Sequence, residues 1–233
     1  MIAIICPMKD ELDSILELME DLQTIKGEKL AYHGDDFEVI YYHGKIADKE
    51  IVACQCGVGQ VYAALNTTML ITAFRPELII NLGVAGTLNK DVKICDVVVA
   101  DRIAQWRMDI PDWERSFASE KFSFKAEPKI LKIAENLSTP LNVHIGSIVS
   151  ADEFIYRQDQ IEVIHKYFPE ALCGEMEGSA IAAVAYAYSV PFTIIRSISD
   201  DTLVEDNYSL ADFNLSISCK QAAAICYEII RRF

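Results

Sequence analysis

Short apolar runs rich in isoleucine and valine recur at Ile2 to Cys6, Phe37 to Tyr42, Ile51 to Cys54, Leu78 to Asn81, Asp96 to Ala100, Val143 to Val149 and Phe192 to Ile198. They are bounded by Gly, Pro or Asp, and β-branched runs of this length predict strands. Helical periodicity occupies the longer segments Met8 to Leu22, Val58 to Phe74, Lys129 to Leu137, Glu175 to Tyr188 and Leu210 to Arg232. The alternation predicts an α/β sandwich with a central, largely buried sheet, built as one domain over residues 1–233. No internal repeat, low-complexity tract or Pro/Gly-rich linker divides it. The stretch from Gln105 to Lys125 is irregular, aromatic and charged, and is expected to be a long functional loop.

Composition narrows the partners. With 52% hydrophobic residues the chain has ample material for a core. A formal charge of −14, with no Lys/Arg cluster to override it locally, would repel a polyphosphate backbone and an anionic lipid surface. Nucleic acid and membrane are therefore not expected partners. The opening MIAIICPMKDEL lacks a basic n-region and becomes charged after a few residues, so neither a signal peptide nor a membrane span is expected there, and the protein is expected to be cytoplasmic.

Seven cysteines sit mostly inside apolar runs and read as small buried hydrophobes of a reducing compartment. Cys54 and Cys56 form the only close pair, without a second pair or a nearby histidine, so no metal site is expected. The four histidines are scattered away from any Ser or Cys in a tight turn, which disfavours a Ser-His or Cys-His hydrolase.

Ligands in open α/β sheets bind beyond the carboxyl ends of strands, so the residues following each strand are the ones to inspect. Pro7-Met8-Lys9-Asp10-Glu11 follows the first run, Gly83-Val84-Ala85-Gly86 follows Leu78 to Asn81, and Ser150 to Ile155 follows Val143 to Val149. CGEMEGSAIAAVAYAYSVPF carries Glu175 and Glu177 where a short strand turns into a small-residue helix, and the last strand leads to Ser199, Asp200 and Asp201. Taken singly these residues have ordinary explanations. Glu11 suits a first helical turn, Asp200 a helix N-cap, Phe154 a core, and Gly83 and Gly86 a chain turn. One helix N-terminus, however, accounts for only one of the two acids around Met176, and a spare carboxylate beside closely packed alanines is costly. Together, acids and small residues converge on one edge of the sheet.

Read jointly, MKDEL, CGVGQVYAAL, NLGVAGTL, GSIVSADEFI, CGEMEGSAIA and VPFTIIRSISDD resemble the purine nucleoside phosphorylase and nucleosidase superfamily, and within it the 5′-methylthioadenosine/S-adenosylhomocysteine nucleosidases. The resemblance covers nearly the whole chain. It implies a single-domain, nucleoside phosphorylase-like three-layer sandwich with a central mixed β-sheet. It also implies a homodimer, which an apolar face over Val58 to Leu70 would serve, and hydrolysis of the bond between adenine and a 5′-thioribose without metal or cofactor.

By the same resemblance Asp200 protonates the leaving purine with Ser199 orienting it, and Glu11 activates water. Glu177 accepts hydrogen bonds from the ribose hydroxyls, Met176 packs on the sugar, and Glu175 has a structural role. Phe154 stacks on adenine and the Ile155 backbone reads its edge. Met8, Val58, Ala85 and Gly86 line the remaining wall, and Arg196 orders the water region. The chemistry agrees on its own terms, because cleaving an N-glycosidic bond needs a proton for the departing purine and an activated water opposite it, a division of labour suited to two carboxyl groups in different environments.

The chain departs from the family pattern twice. Val84 stands where many members carry serine, and QWRMDIPDWERSF replaces the usual loop near the 5′ substituent. In that loop Trp106, Ile110, Trp113 and Phe117 offer an apolar wall, while Arg107 and Arg115 could meet a carboxylate or simply be solvated. Two other readings remain in view. A phosphorylase of the same fold would want arginines in the early loops, where this chain has Lys9 and two acids; a non-catalytic adenosine-binding protein would have no need of both Glu11 and Asp200.

Overall fold

Strand β1 (Ile2–Cys6) shows why its run is apolar without alternation: Ile2, Ile4 and Cys6 pack on one side of the sheet, and Ala3 and Ile5 on the other. The computed structural model describes residues 1–32, 35–107, 123–203 and 214–233. Around β1 the sheet continues through β4 (Lys49–Gln55) to the hairpin of β3 (Asp35–Ile46) and β2 (Glu20–Tyr32), and on the other side to β5 (Leu78–Thr87). Strand β5 pairs in parallel with β1 and β10 (Phe192–Asp201), and antiparallel with β9 (Ala171–Glu175).

From β10 the ladder runs through β6 (Val97–Gln105) and β8 (Val143–Ser150) back to β9. The short β7 (Ser123–Lys125) adds to β6. Strands β5, β10, β6, β8 and β9 thus close into a ring, and β1, β4, β3 and β2 extend from it as an open sheet.

Helices cover both faces. Helices α2 (Gln60–Phe74) and α5 (Gly178–Ala187) supply Ala63, Leu70, Ile181 and Ala185 to one apolar cluster. Helices α1 (Lys9–Leu16), α3 (Pro128–Glu135) and α6 (Leu215–Arg232) supply Leu12, Ile15, Ile130, Ala222 and Ile229 to the other. A third, smaller cluster lies under α4 (Gln158–Tyr167), where Ile161 and Ile164 meet Val149 and Trp106. This is the expected three-layer arrangement with a mixed sheet. Among the described residues no helix is long and apolar enough to cross a membrane.

Several boundaries differ from the sequence expectation. The helix expected over Met8 to Leu22 stops at Leu16, and β2 begins at Glu20. The helix expected from Glu175 begins at Gly178, because Glu175 ends β9 and Glu177 is the N-cap. Gly83 and Gly86 do not turn the chain; they lie inside β5. Asp200 is not an N-cap but part of β10. The expected loop from Gln105 to Lys125 is flanked by strand at both ends, since Gln105 closes β6 and Ser123–Lys125 is β7. Ile110, Trp113, Arg115, Phe117 and the expected helix start at Leu210 lie outside the described residues.

Candidate active site

The carboxyl ends of β1, β5, β8, β9 and β10 surround one cleft. Twelve of the residues singled out from the sequence line it: Met8, Glu11, Val58, Ala85, Gly86, Phe154, Ile155, Met176, Glu177, Arg196, Ser199 and Asp200. Pro7, Val84, Glu153, Gly174, Glu175 and Thr202 complete the wall. Of these, Thr202 and Gly174 carried no sequence signal. Trp106, expected in a wall around the 5′ group, instead fills the cluster under α4, because the apolar underside of that helix needs a large side chain there. Arg107 points along the rim, where its Nε meets Glu153 Oε2 at 3.2 Å.

Glu11 reaches the cleft from the first turn of α1. Its Oε2 accepts the Met8 backbone N–H at 2.7 Å, closing the helix N-terminus as a capping residue would, while Oε1 accepts the Val84 N–H at 2.9 Å. The backbone of Val84 therefore supplies the contact, and no hydroxyl is required at that position for it. Burial pushes the Glu11 carboxyl up to about 7, against the opposing pull of Arg196 and the two N–H donors, with Glu175 adding to the rise. Close approach is possible because Gly83 has no side chain: a Cβ there would stand 2.5 Å from Glu11 Oε1 and nearer still to the Arg196 guanidinium.

Arg196 is fully buried and serves three acids. Its Nη2 donates to Asn81 Oδ1 at 2.6 Å and to Glu175 Oε2, with Glu177 Oε2 at 3.4 Å; Nη1 lies 4.0 Å from Glu11 Oε1. Burial alone would favour loss of the guanidinium proton, but Glu175, Glu177 and Glu11 override it and hold the charge firmly. Glu175 accepts the N–H groups of Glu177 and Gly178, so it caps α5 and anchors Arg196 at once. This is the structural role expected of it.

Glu177 faces the cleft and grips a different element. Its Oε1 accepts the Gly59 N–H at 2.8 Å, and Asp152 Oδ1 accepts the Gln60 N–H at 2.6 Å, so two carboxylates from distant loops hold the N-terminus of α2. Gly59 has φ of 95°, a conformation that favours glycine. Burial, then the neighbouring Glu175, raises the Glu177 pKa.

Opposite, the register of β10 on β5 slips between Ile198 and Asp200. Ser199 is the extra residue of a β-bulge, and a bulge re-aims the side chains around it. Strict alternation would send Ser199 and Asp200 to opposite faces. Instead Ser199 Oγ donates to Asp200 Oδ1 at 2.7 Å, and both line the cleft. Burial raises the Asp200 pKa, Ser199 opposes the shift, and Asp201 reinforces it.

This constellation at the open end of a nucleoside phosphorylase-like sheet defines a class, and comparison with known proteins agrees. The family model described as the phosphorylase superfamily matches residues 1–231. A 5′-methylthioadenosine/S-adenosylhomocysteine nucleosidase of Listeria monocytogenes is 34% identical over 239 residues, covering 99% of this chain and 98% of the relative. A solved structure of a putative nucleosidase of the same kind from Borrelia burgdorferi, bound to adenine, superposes with a TM-score of 0.89 at 32% identity, covering all of both chains. A solved futalosine hydrolase of Helicobacter pylori is also similar, with a TM-score of 0.83 at 26% identity over 100% of this chain and 97% of that one. The chain belongs to the 5′-methylthioadenosine/S-adenosylhomocysteine nucleosidase family of the phosphorylase superfamily. It is an enzyme, a nucleosidase of the hydrolase class.

Proposed function

We propose that this chain hydrolyses the N-glycosidic bond of 5′-methylthioadenosine, S-adenosylhomocysteine or both, releasing adenine and the thioribose. The observation that carries the reading is a single cleft with a Ser199-bonded, pKa-raised Asp200 on one side and a backbone-held Glu11 on the other. Burial raises the Asp200 pKa and so favours the protonated form that donates to N7 of the departing adenine, and Ser199 fixes the direction of the carboxyl. Glu11 takes the proton of the attacking water. Arg196 Nη1 has no hydrogen-bond partner among the described residues and lies beside Glu11, so it is free to hold that water.

Glu177 offers only acceptors when ionised, which suits the two ribose hydroxyls. Met176 packs on the sugar, Phe154 on the base, and the Ile155 backbone meets the purine edge. Met8, Val58, Ala85 and Gly86 shape the remaining wall.

Phosphorolysis is a poorer fit. Arg196 is the only basic side chain lining the cleft among the described residues, and three glutamates already claim it. A phosphate dianion would meet net negative charge there.

Free adenine, measured with a panel of 5′-substituted adenosines with and without phosphate, tests the reading. Release independent of phosphate is expected for the methylthio or homocysteinyl compound. A phosphate requirement would make the protein a phosphorylase, and no release from either compound would overturn the substrate assignment. Glu11→Gln and Asp200→Asn are each expected to lower kcat by about a hundredfold or more.

The unit that performs this chemistry is read as one domain over residues 1–233 that pairs with a second copy. Val61 is 72% exposed, Leu65 41% and Tyr186 73%, so α2 and α5 present an apolar face to solvent. Such a face is best covered by its own copy across a two-fold axis.

A further inference from the structure

Ile198 still exchanges backbone hydrogen bonds with Cys95 and Asp96 just before β6, and the Ser199 carbonyl accepts the Asn214 N–H; past the bulge at Ser199 the strand end is paired with β5 alone among the described residues. That one-sided end carries Asp200. Thr202 lies just past it, is buried, and donates its hydroxyl to the carbonyl of Thr87, the last residue of β5. Thr87 is a fixed point. Its own hydroxyl donates to the carbonyls of Asn89 and Val92 at 3.0 Å each, and its backbone stands opposite Cys173 on β9 and Asp201 on β10. The Thr202 methyl covers Gly86 on the side where Asp200 sits, since a Cβ on Gly86 would lie 2.8 Å from Asp200 Oδ2 and in collision with that methyl.

We propose that Thr202 is a positioning residue: its hydroxyl clamps the end of β10 to Thr87 and so keeps the Asp200 carboxyl turned into the cleft beside Gly86. The proposal rests on the reading of Asp200 as the acid. Without the clamp the strand end would fray outward, the carboxyl would gain water, and its pKa would fall toward the ordinary aspartate value. Less of it would then be protonated at neutral pH. The charged and titratable groups around Asp200 are Asp201 on its own strand, Cys173 on β9 and, across the cleft, Glu11, Glu175, Glu177 and Arg196. The Thr202 hydroxyl bonds to the Thr87 carbonyl and to none of these groups among the described residues, so a changed pH profile reports the hydration of Asp200.

The test uses the full chain with methylthioadenosine, following adenine release across pH for Thr202→Val, Thr202→Ser and Thr202→Ala. Thr202→Val, which keeps the shape and loses the hydroxyl, is expected to lower kcat about tenfold or more with little change in KM, the scale of a small misplacement of a reacting group. The basic limb of its kcat/KM profile should move to lower pH. Thr202→Ser should restore both. A Thr202→Val enzyme with wild-type kcat and an unmoved basic limb would overturn the proposal, as would a serine variant as impaired as the valine one. If the valine variant does not fold, serine and alanine decide: a near-normal serine variant beside a slow, shifted alanine variant supports the clamp, and equal behaviour refutes it. Asp200→Asn separates the two layers, since its full activity would remove the acid assignment whatever Thr202 does.

Discussion

Replacing the buried Glu11 by glutamine should lower kcat about a hundredfold or more and make the protein gain stability relative to wild type as pH rises toward and past 7. The folded-state pKa of Glu11 is raised to about 7, mainly by burial, whereas an unfolded glutamate titrates near 4.3. A carboxyl shifted upward favours the fold while protonated. That contribution is complete below the unfolded pKa and is lost as pH rises through the folded one. That rise in pKa corresponds to about 3 kcal/mol lost in the wild type between roughly pH 4.5 and 7.5.

Glutamine does not ionise, so the variant escapes this loss. Its stability relative to wild type should rise by about 3 kcal/mol across that window, a gain of roughly 6–12 °C in relative melting temperature for a chain of this size. Asp200 and Glu177 ionise in both proteins and largely cancel in the difference. Glutamine can no longer accept at both Met8 and Val84, which adds a cost with no dependence on pH. The assay is thermal unfolding of both proteins at several pH values from 4.5 to 8. A difference between them that stays flat across the window would refute the account of Glu11 as a carboxylate strained by burial.

Gly83→Ala would drive a methyl into both Glu11 and Arg196, and kcat/KM should fall about a hundredfold while overpacking removes about 1–3 kcal/mol of stability; steady-state kinetics and melting check it, and a near-normal rate would mean that neither group needs its present position. Val61→Asp should convert the proposed homodimer to a monomer of 26.1 kDa by light scattering at micromolar concentration, and a wild type that already has that mass would remove the dimer.

The buried elements were legible because their sequence obeys one rule throughout. Strand β1 has the bounds expected of it, and β4, β8 and β10 differ only at their ends, since an Ile/Val run between turn residues has few alternatives in a core. The hairpin of β2 and β3 was only partly visible. Lys26 and Glu38 pair across it in solvent, and EDLQTIKGEKLAY offers no apolar run to mark a strand. Helix α4, absent from the sequence expectation, does carry a signal, with Ile161, Ile164 and Phe168 at helical spacing and Gln160 accepting the Tyr156 and Arg157 N–H groups at its start.

Within the cleft, residue types could be named from the sequence, but their aim could not. The bulge that turns Ser199 and Asp200 together is a register slip between two strands distant in sequence. Gly83 and Gly86 looked like turns because their real reason, the close approach of Arg196, Glu11 and Asp200, is tertiary.

The closed ring of strands gives Arg196 and Glu11 unequal mechanical footing. Around Arg196, β10 is bonded to β5 on one edge and to β6 on the other, so displacing the guanidinium means tearing two ladders at once. Glu11 rides on an eight-residue helix outside the sheet, secured by side-chain packing and by the N–H bonds its own carboxylate accepts. Amides around Arg196 should exchange with solvent only on near-global unfolding, and those of α1 through cheaper local opening. The cation that anchors the carboxylates is therefore bolted to the frame, while the proposed base meets it on a detachable arm.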